Sequence, residues 1–86
     1  MRLDLNIECR DVIYIRKFNS FVYDSKEKSL FLYFSKKRDR DSANKQVSNS
    51  IIPIRVKISE YEDSCYEKYE LIIFGDEYNL DFLIRS

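Results

Sequence analysis

Histidine and tryptophan are missing from this sequence, and glycine and proline occur once each in 86 residues. Without histidine the commonest general base and the commonest zinc ligand are gone. A single glycine leaves no phosphate-cradling loop and no dinucleotide fingerprint, and no CxxC or GxSxG pattern is present. No apolar run approaches the roughly 18 residues of a membrane span. The opening MRLDLNIECR alternates apolar with charged residues, whereas an export leader needs an unbroken apolar stretch. Cysteine is also scarce. Cys9 and Cys65 are too few for the disulfide framework of a small secreted domain and are expected as reduced, partly buried thiols. These absences predict a non-enzymatic cytoplasmic protein with no catalytic residues, no metal, no cofactor and no membrane contact.

Aromatic and charged residues are plentiful. Seven tyrosines and six phenylalanines sit in a chain that is 44% apolar and 35% charged, a balance that folds rather than stays disordered. A chain of this size buries only about 60–65% of its unfolded surface, so one small core is expected, in a single domain over residues 1–86. Leu3, Leu5, Ile7 and Cys9 alternate with Arg2, Asp4, Asn6 and Glu8, the period of a strand with one dry face. A bulge or bend near Arg10 is expected before Val12–Ile15, which is apolar on both faces and should lie deeper. Phe21–Tyr23 and Leu30–Phe34 flank the polar DSKEKS and predict a hairpin, with Leu30–Phe34 as a central strand. Residues 50–59 read as another strand in which Ile52, Ile54, Val56 and Ile58 alternate with Arg55 and Lys57, and Pro53 places it at a sheet edge or stands at the strand's first residues. Arg55 and Lys57 are expected to protect the edge against pairing with another chain. Tyr69–Ile73 and Leu80–Ile84 are expected to close a last hairpin through a four-residue loop GDEY, with Gly75 supplying a positive φ.

Two stretches break the strand pattern. Residues 37–49 read as a long polar loop, with a short helical turn at Ser42–Gln46 as the alternative. Residues 59–70 read as a loop, or as a short helix on the strength of a Ser59-x-x-Glu62 capping pattern and the recurrence of Tyr61, Cys65 and Tyr69. The expected fold is mainly β, a small antiparallel β-barrel or sandwich of about six to seven strands, with α+β carrying one short helix near 59–70 as the alternative.

Charge points to where a partner would touch. Residues 1–50 hold 11 Lys/Arg against 7 Asp/Glu, and residues 51–86 hold 4 against 8, so the halves carry +4 and −4. In residues 60–70, five carboxylates face one lysine, with Tyr61, Tyr66 and Tyr69 interleaved. Tyrosine offers rigid contact area with a polar tip, and the carboxylates would draw it to a basic surface. Glu60, Tyr61, Glu62, Asp63, Tyr66 and Glu67 are therefore the expected partner-binding residues. The partner expected is a protein with a basic surface, such as a complex that normally holds nucleic acid. The chain would act as a stoichiometric inhibitor or modulator, for which a phage or mobile-element anti-defence (anti-CRISPR-like) protein is the concrete form. The alternative is single-stranded nucleic-acid binding through Lys36, Lys37, Arg38, Arg40 and Lys45, with Tyr33 for stacking. Asp39 and Asp41 interrupt that positive cluster and weigh against it. Head-to-tail pairing of the oppositely charged halves into a homo-oligomer is a third reading.

Overall fold

The computed structural model describes residues 2–7, 11–49, 54–62, 68–76 and 78–85. They form seven strands and one helix: β1 (Arg2–Ile7), β2 (Asp11–Arg16), β3 (Ser20–Asp24), β4 (Ser29–Phe34), α1 (Lys37–Ser48), β5 (Val56–Glu60), β6 (Tyr69–Phe74) and β7 (Leu80–Arg85). The strands make two antiparallel sheets, one in the order β2-β1-β7 and one in the order β3-β4-β6-β5. The mainly-β expectation therefore holds.

Period-two alternation decides which side chains meet between the sheets. Leu3 and Leu5 of β1, Ile13 and Ile15 of β2 and Leu80 of β7 face Leu30, Leu32 and Phe34 of β4 and Leu71 and Ile73 of β6 in one core. The rings of Tyr23 and Phe82, one from each sheet, lie 5.8 Å apart. Each of these leucines or isoleucines, once dry, contributes about 1.5–3 kcal/mol relative to exposure. β4 is a central strand, as expected, with Leu30, Leu32 and Phe34 buried and Phe31 and Tyr33 half-buried on its other face. The β3–β4 hairpin pairs Asp24 with Ser29. Its turn is held by the Asp24 carboxylate, which accepts the N–H groups of Lys26 at 3.0 Å and Glu27 at 3.2 Å.

Three expectations are corrected. The polar stretch 37–49 is not a loop but a helix over Lys37–Ser48, which contains the Ser42–Gln46 turn of the alternative reading and packs on β2 of one sheet and on β4, β5 and β6 of the other. Its inward face is Arg40, Ala43 and Val47, at i, i+3 and i+7. Asp39 in the first turn and Lys45 in the last both suit the helix dipole.

The last hairpin does not exist. β6 and β7 lie in different sheets, and β7 pairs with β1 instead. The face argument was satisfied another way, because Tyr69–Leu71–Ile73 and Leu80–Phe82–Ile84 meet the same core from opposite sheets. Gly75 has no positive φ; the described residues with positive φ are Lys17 at 63° and Lys28 at 49°.

Val12–Ile15 is not sunk on both faces. It follows a reversal that pairs Ile7 with Asp11, and Val12 and Tyr14 are half-exposed on the outer face. The ring of Tyr14 lies under the Arg2 guanidinium, 5.1 Å from its centroid.

The alternative helix near 59–70 is not formed at either end. Ser59 and Glu60 belong to β5, and Tyr69 and Glu70 to β6. Residues 63–67 lie outside the described residues, as do Pro53 and the bend near Arg10.

Candidate functional site

The two oppositely charged segments singled out in the sequence meet in space. The N-terminal half of α1 packs against the end of β5, and Arg40 is the joint. Its side chain is 3% exposed. Nε and Nη2 both lie 2.9 Å from one Asp41 carboxylate oxygen, and Nη1 donates to the Ser59 carbonyl at 3.0 Å. Nη2 is 3.8 Å from the Glu60 carboxylate, and the guanidinium sits over the Tyr69 ring at 5.4 Å. A buried cation is tolerated only when it is hydrogen-bonded and its charge is met; here each guanidinium nitrogen has a partner, and the Asp41 and Glu60 carboxylates meet the charge.

The other members of the basic cluster have no such role. Lys36 caps the helix without a side-chain capping bond, and Lys36, Lys37, Arg38 and Lys45 are exposed. Arg38, Asp41 and Lys45 follow at i, i+3 and i+7, so a carboxylate stands between two cations on the solvent ridge. The nucleic-acid set is therefore reduced in two ways. Arg40 is buried and turned inward, with all three of its guanidinium nitrogens engaged by Asp41 and the Ser59 carbonyl, and the remaining cations do not form an uninterrupted positive stripe.

The acidic–tyrosine segment begins where β5 ends. Glu60, Tyr61 and Glu62 are three successive exposed residues. The Tyr61 N–H donates to the Lys68 carbonyl at 2.7 Å, which extends the β5–β6 ladder by one pair. Its phenol donates to Glu70 Oε2 at 2.9 Å. Glu70 is only 3% exposed, so the tyrosine supplies a donor to a nearly dry carboxylate and is itself held in place, with 46% of its surface still open. Of the expected partner-binding residues, Glu60, Tyr61 and Glu62 are thus brought together at one corner. Asp63, Tyr66 and Glu67 lie outside the described residues. Tyr69, by contrast, is half-buried under Arg40.

The hydrogen bond to Glu70, reinforced by burial, raises the Tyr61 phenol above its ordinary 10.0. The folded state holds this proton more tightly than the unfolded state, so its contribution to stability is complete below pH 10.0 and is lost as pH climbs through the raised value. Replacing Tyr61 with Phe leaves Glu70 without that donor and is expected to cost about 1–3 kcal/mol at neutral pH. It should also remove one phenolate that forms above pH 10.0 from an ultraviolet pH titration. An unchanged urea midpoint together with an unchanged alkaline limb would show that the bond contributes nothing.

Beside this corner a shallow groove of about 370 Å³ runs between α1 and β5, lined by Lys37, Arg40, Asp41, Ile58, Ser59 and Glu60. Ile58 is half-exposed there. The groove is not visible in the sequence because it depends on the full length of α1, where the polar pattern predicts a loop with at most a short turn at Ser42–Gln46. The available signal was the Arg40–Ala43–Val47 spacing. Among the described residues no group of three or more cysteine or carboxylate side chains could hold a metal ion. The chain matches no protein-family model, and comparison with curated proteins and with solved structures gives no match.

Proposed function

We propose that this protein is a non-enzymatic protein-binding module that acts by occupying a basic surface on a larger partner as a stoichiometric inhibitor or modulator. The observation that carries the reading is the corner at Glu60–Tyr61–Glu62. A half-exposed tyrosine is pinned by a buried carboxylate and stands between two exposed ones. A pre-positioned aromatic ring loses little freedom on binding, and the flanking charges steer a cationic partner toward it. A surface that otherwise holds nucleic acid has the matching chemistry, and a phage-encoded blocker of a bacterial defence complex is the form this would take. The use of Arg40 inside the fold and the position of Asp41 argue against direct nucleic-acid binding by α1.

Affinity capture from host lysate identifies the partner, and the double variant Glu62→Lys/Asp63→Lys tests the surface. The association rate is expected to fall about tenfold at low salt, with the difference shrinking as salt is raised. Unaltered association and inhibition by the reversed variant would remove this surface from consideration. Salt-sensitive binding of mixed single-stranded oligonucleotides at micromolar protein, seen by fluorescence anisotropy, would favour the nucleic-acid reading instead.

A further inference from the structure

We infer that β5 is a strand-accepting edge, and that the partner docks by adding an extended segment of its own chain to it. The inference deepens the protein-binding reading and rests on it. Among the described residues β5 is the outermost strand of its sheet and pairs only with β6. The Arg55 carbonyl accepts from Phe74 N–H at 3.0 Å, and Tyr61 N–H donates to the Lys68 carbonyl at 2.7 Å. In an antiparallel ladder the residues that exchange bonds alternate, so Arg55, Lys57, Ser59 and Tyr61 turn their backbone groups toward β6. Val56, Ile58 and Glu60 turn theirs outward, and no backbone bond joins these groups to another of the described residues.

Edges of this kind are usually blunted by charge or covered. The neighbouring sheet has its β2 edge flanked by α1. On β5 the expected guard is weaker than the sequence implied. The Arg55 guanidinium is folded back over the Phe74 ring, 4.8 Å from its centroid, away from the edge. Lys57 alternates to the outer face, opposite Ile72. The inner side of the edge is therefore open at Ile58, where the groove under α1 begins.

The side chains of β5 specify the occupant position by position. Directly paired residues of an added strand share a face, so those opposite Val56 and Ile58 must be aliphatic to cover the half-exposed Ile58 and the partly buried Val56 beside it. The residue opposite Glu60 must be a cation, since Glu60 and Asp41 are both half-exposed at that end of the groove. The residue opposite Lys57 must be a carboxylate or threonine. In the commoner antiparallel sense this is a segment reading lysine, threonine, valine, glutamate, valine from its N-terminus.

The test is a titration of ¹⁵N-labelled protein with that five-residue sequence, acetylated and amidated. The amides of Val56, Ile58 and Glu60 are expected to shift, and exchange of the Ile58 N–H with solvent to slow. Methylating the nitrogen of the valine opposite Ile58 removes one donor, and Ile58→Pro removes the N–H that faces the edge while sparing the ladder to β6. Each change is expected to weaken binding about tenfold. If Ile58→Pro fails to fold, the methylated peptide on the unaltered protein gives the same answer. A methylated or scrambled peptide that binds within about twofold of the parent peptide would overturn strand addition, as would unshifted β5 amides at millimolar peptide. With the captured partner the two ideas separate. Binding that is lost in Glu62→Lys/Asp63→Lys but kept in Ile58→Pro leaves the acidic corner standing and removes strand addition. Binding indifferent to both changes removes both.

Discussion

Replacing Arg40 with alanine is expected to lower the stability of this protein by about 2–4 kcal/mol, more than any other single charged-residue change should. The figure follows from what is lost and what is left. Three charge-assisted contacts disappear, two to Asp41 and one to the Ser59 carbonyl, along with the stacking on Tyr69. The buried stem of the side chain also leaves a void beneath α1. The orphaned carboxylates of Asp41 and Glu60 are about half-exposed and simply rehydrate, so the penalty of a stranded buried charge does not apply in full. Arg40→Met refills the void without the guanidinium and should recover part of the loss. Arg40→Lys keeps the charge but cannot reach Asp41 and Ser59 together, so it should do no better than methionine. Urea unfolding of the three variants decides the matter. An alanine variant within about 0.5 kcal/mol of the parent would mean that the pairs only offset the cost of drying the cation. A methionine variant as stable as the parent would assign the whole effect to packing. The consequence for binding is direct, because Arg40 ties α1 to β5. Loosening it should widen the groove and speed hydrogen exchange in β5 before the rest of the sheet.

How far the sequence could be read depended on whether the core-facing residues were apolar. β1 and β5 are legible because aliphatic residues alternate with charged ones, and β3 and β4 because aromatic and β-branched residues flank a polar turn. α1 is not, because its buried stripe is Arg40, Ala43 and Val47. Periodicity counts hydrophobic residues, and an arginine that is buried by means of its partners does not register. The same error hid the groove and made Arg40 look like a phosphate ligand. The partner for β7 was also out of reach. Face parity states which side chains share a side, and two strands facing one core from opposite sheets satisfy it as well as two neighbours do. Of the candidate site, charge and tyrosine content located the corner at Glu60–Glu62. The tertiary contact that fixes it, Tyr61 with Glu70, joins residues nine apart across a hairpin that the sequence left open between loop and helix.

Gly75→Ala is expected to cost about 1–3 kcal/mol by overpacking, although this glycine needs no unusual backbone angle. A methyl group placed there would lie 2.8 Å from Cγ and 3.0 Å from Cδ1 of Leu80. Leu80 is 2% exposed and cannot move outward without opening the core. The surrounding backbone is also constrained. Gly75 N–H donates to the Lys28 carbonyl at 2.8 Å, and the Gly75 carbonyl accepts from the Tyr23 hydroxyl at 3.2 Å. The next residue anchors the start of β7, with Asn79 and Leu80 N–H donating to the Asp76 carbonyl at 3.1 and 2.8 Å. Gly75 is thus the point at which β6 hands the chain across the core to β7, and its missing side chain is the space Leu80 fills. A double-mutant cycle separates this account from a simple propensity effect. Leu80→Ala alone should cost about 2–5 kcal/mol, and in that background Gly75→Ala should become nearly neutral, a coupling of about 1–3 kcal/mol. Strict additivity of the two changes would show that Leu80 is not the reason position 75 is glycine.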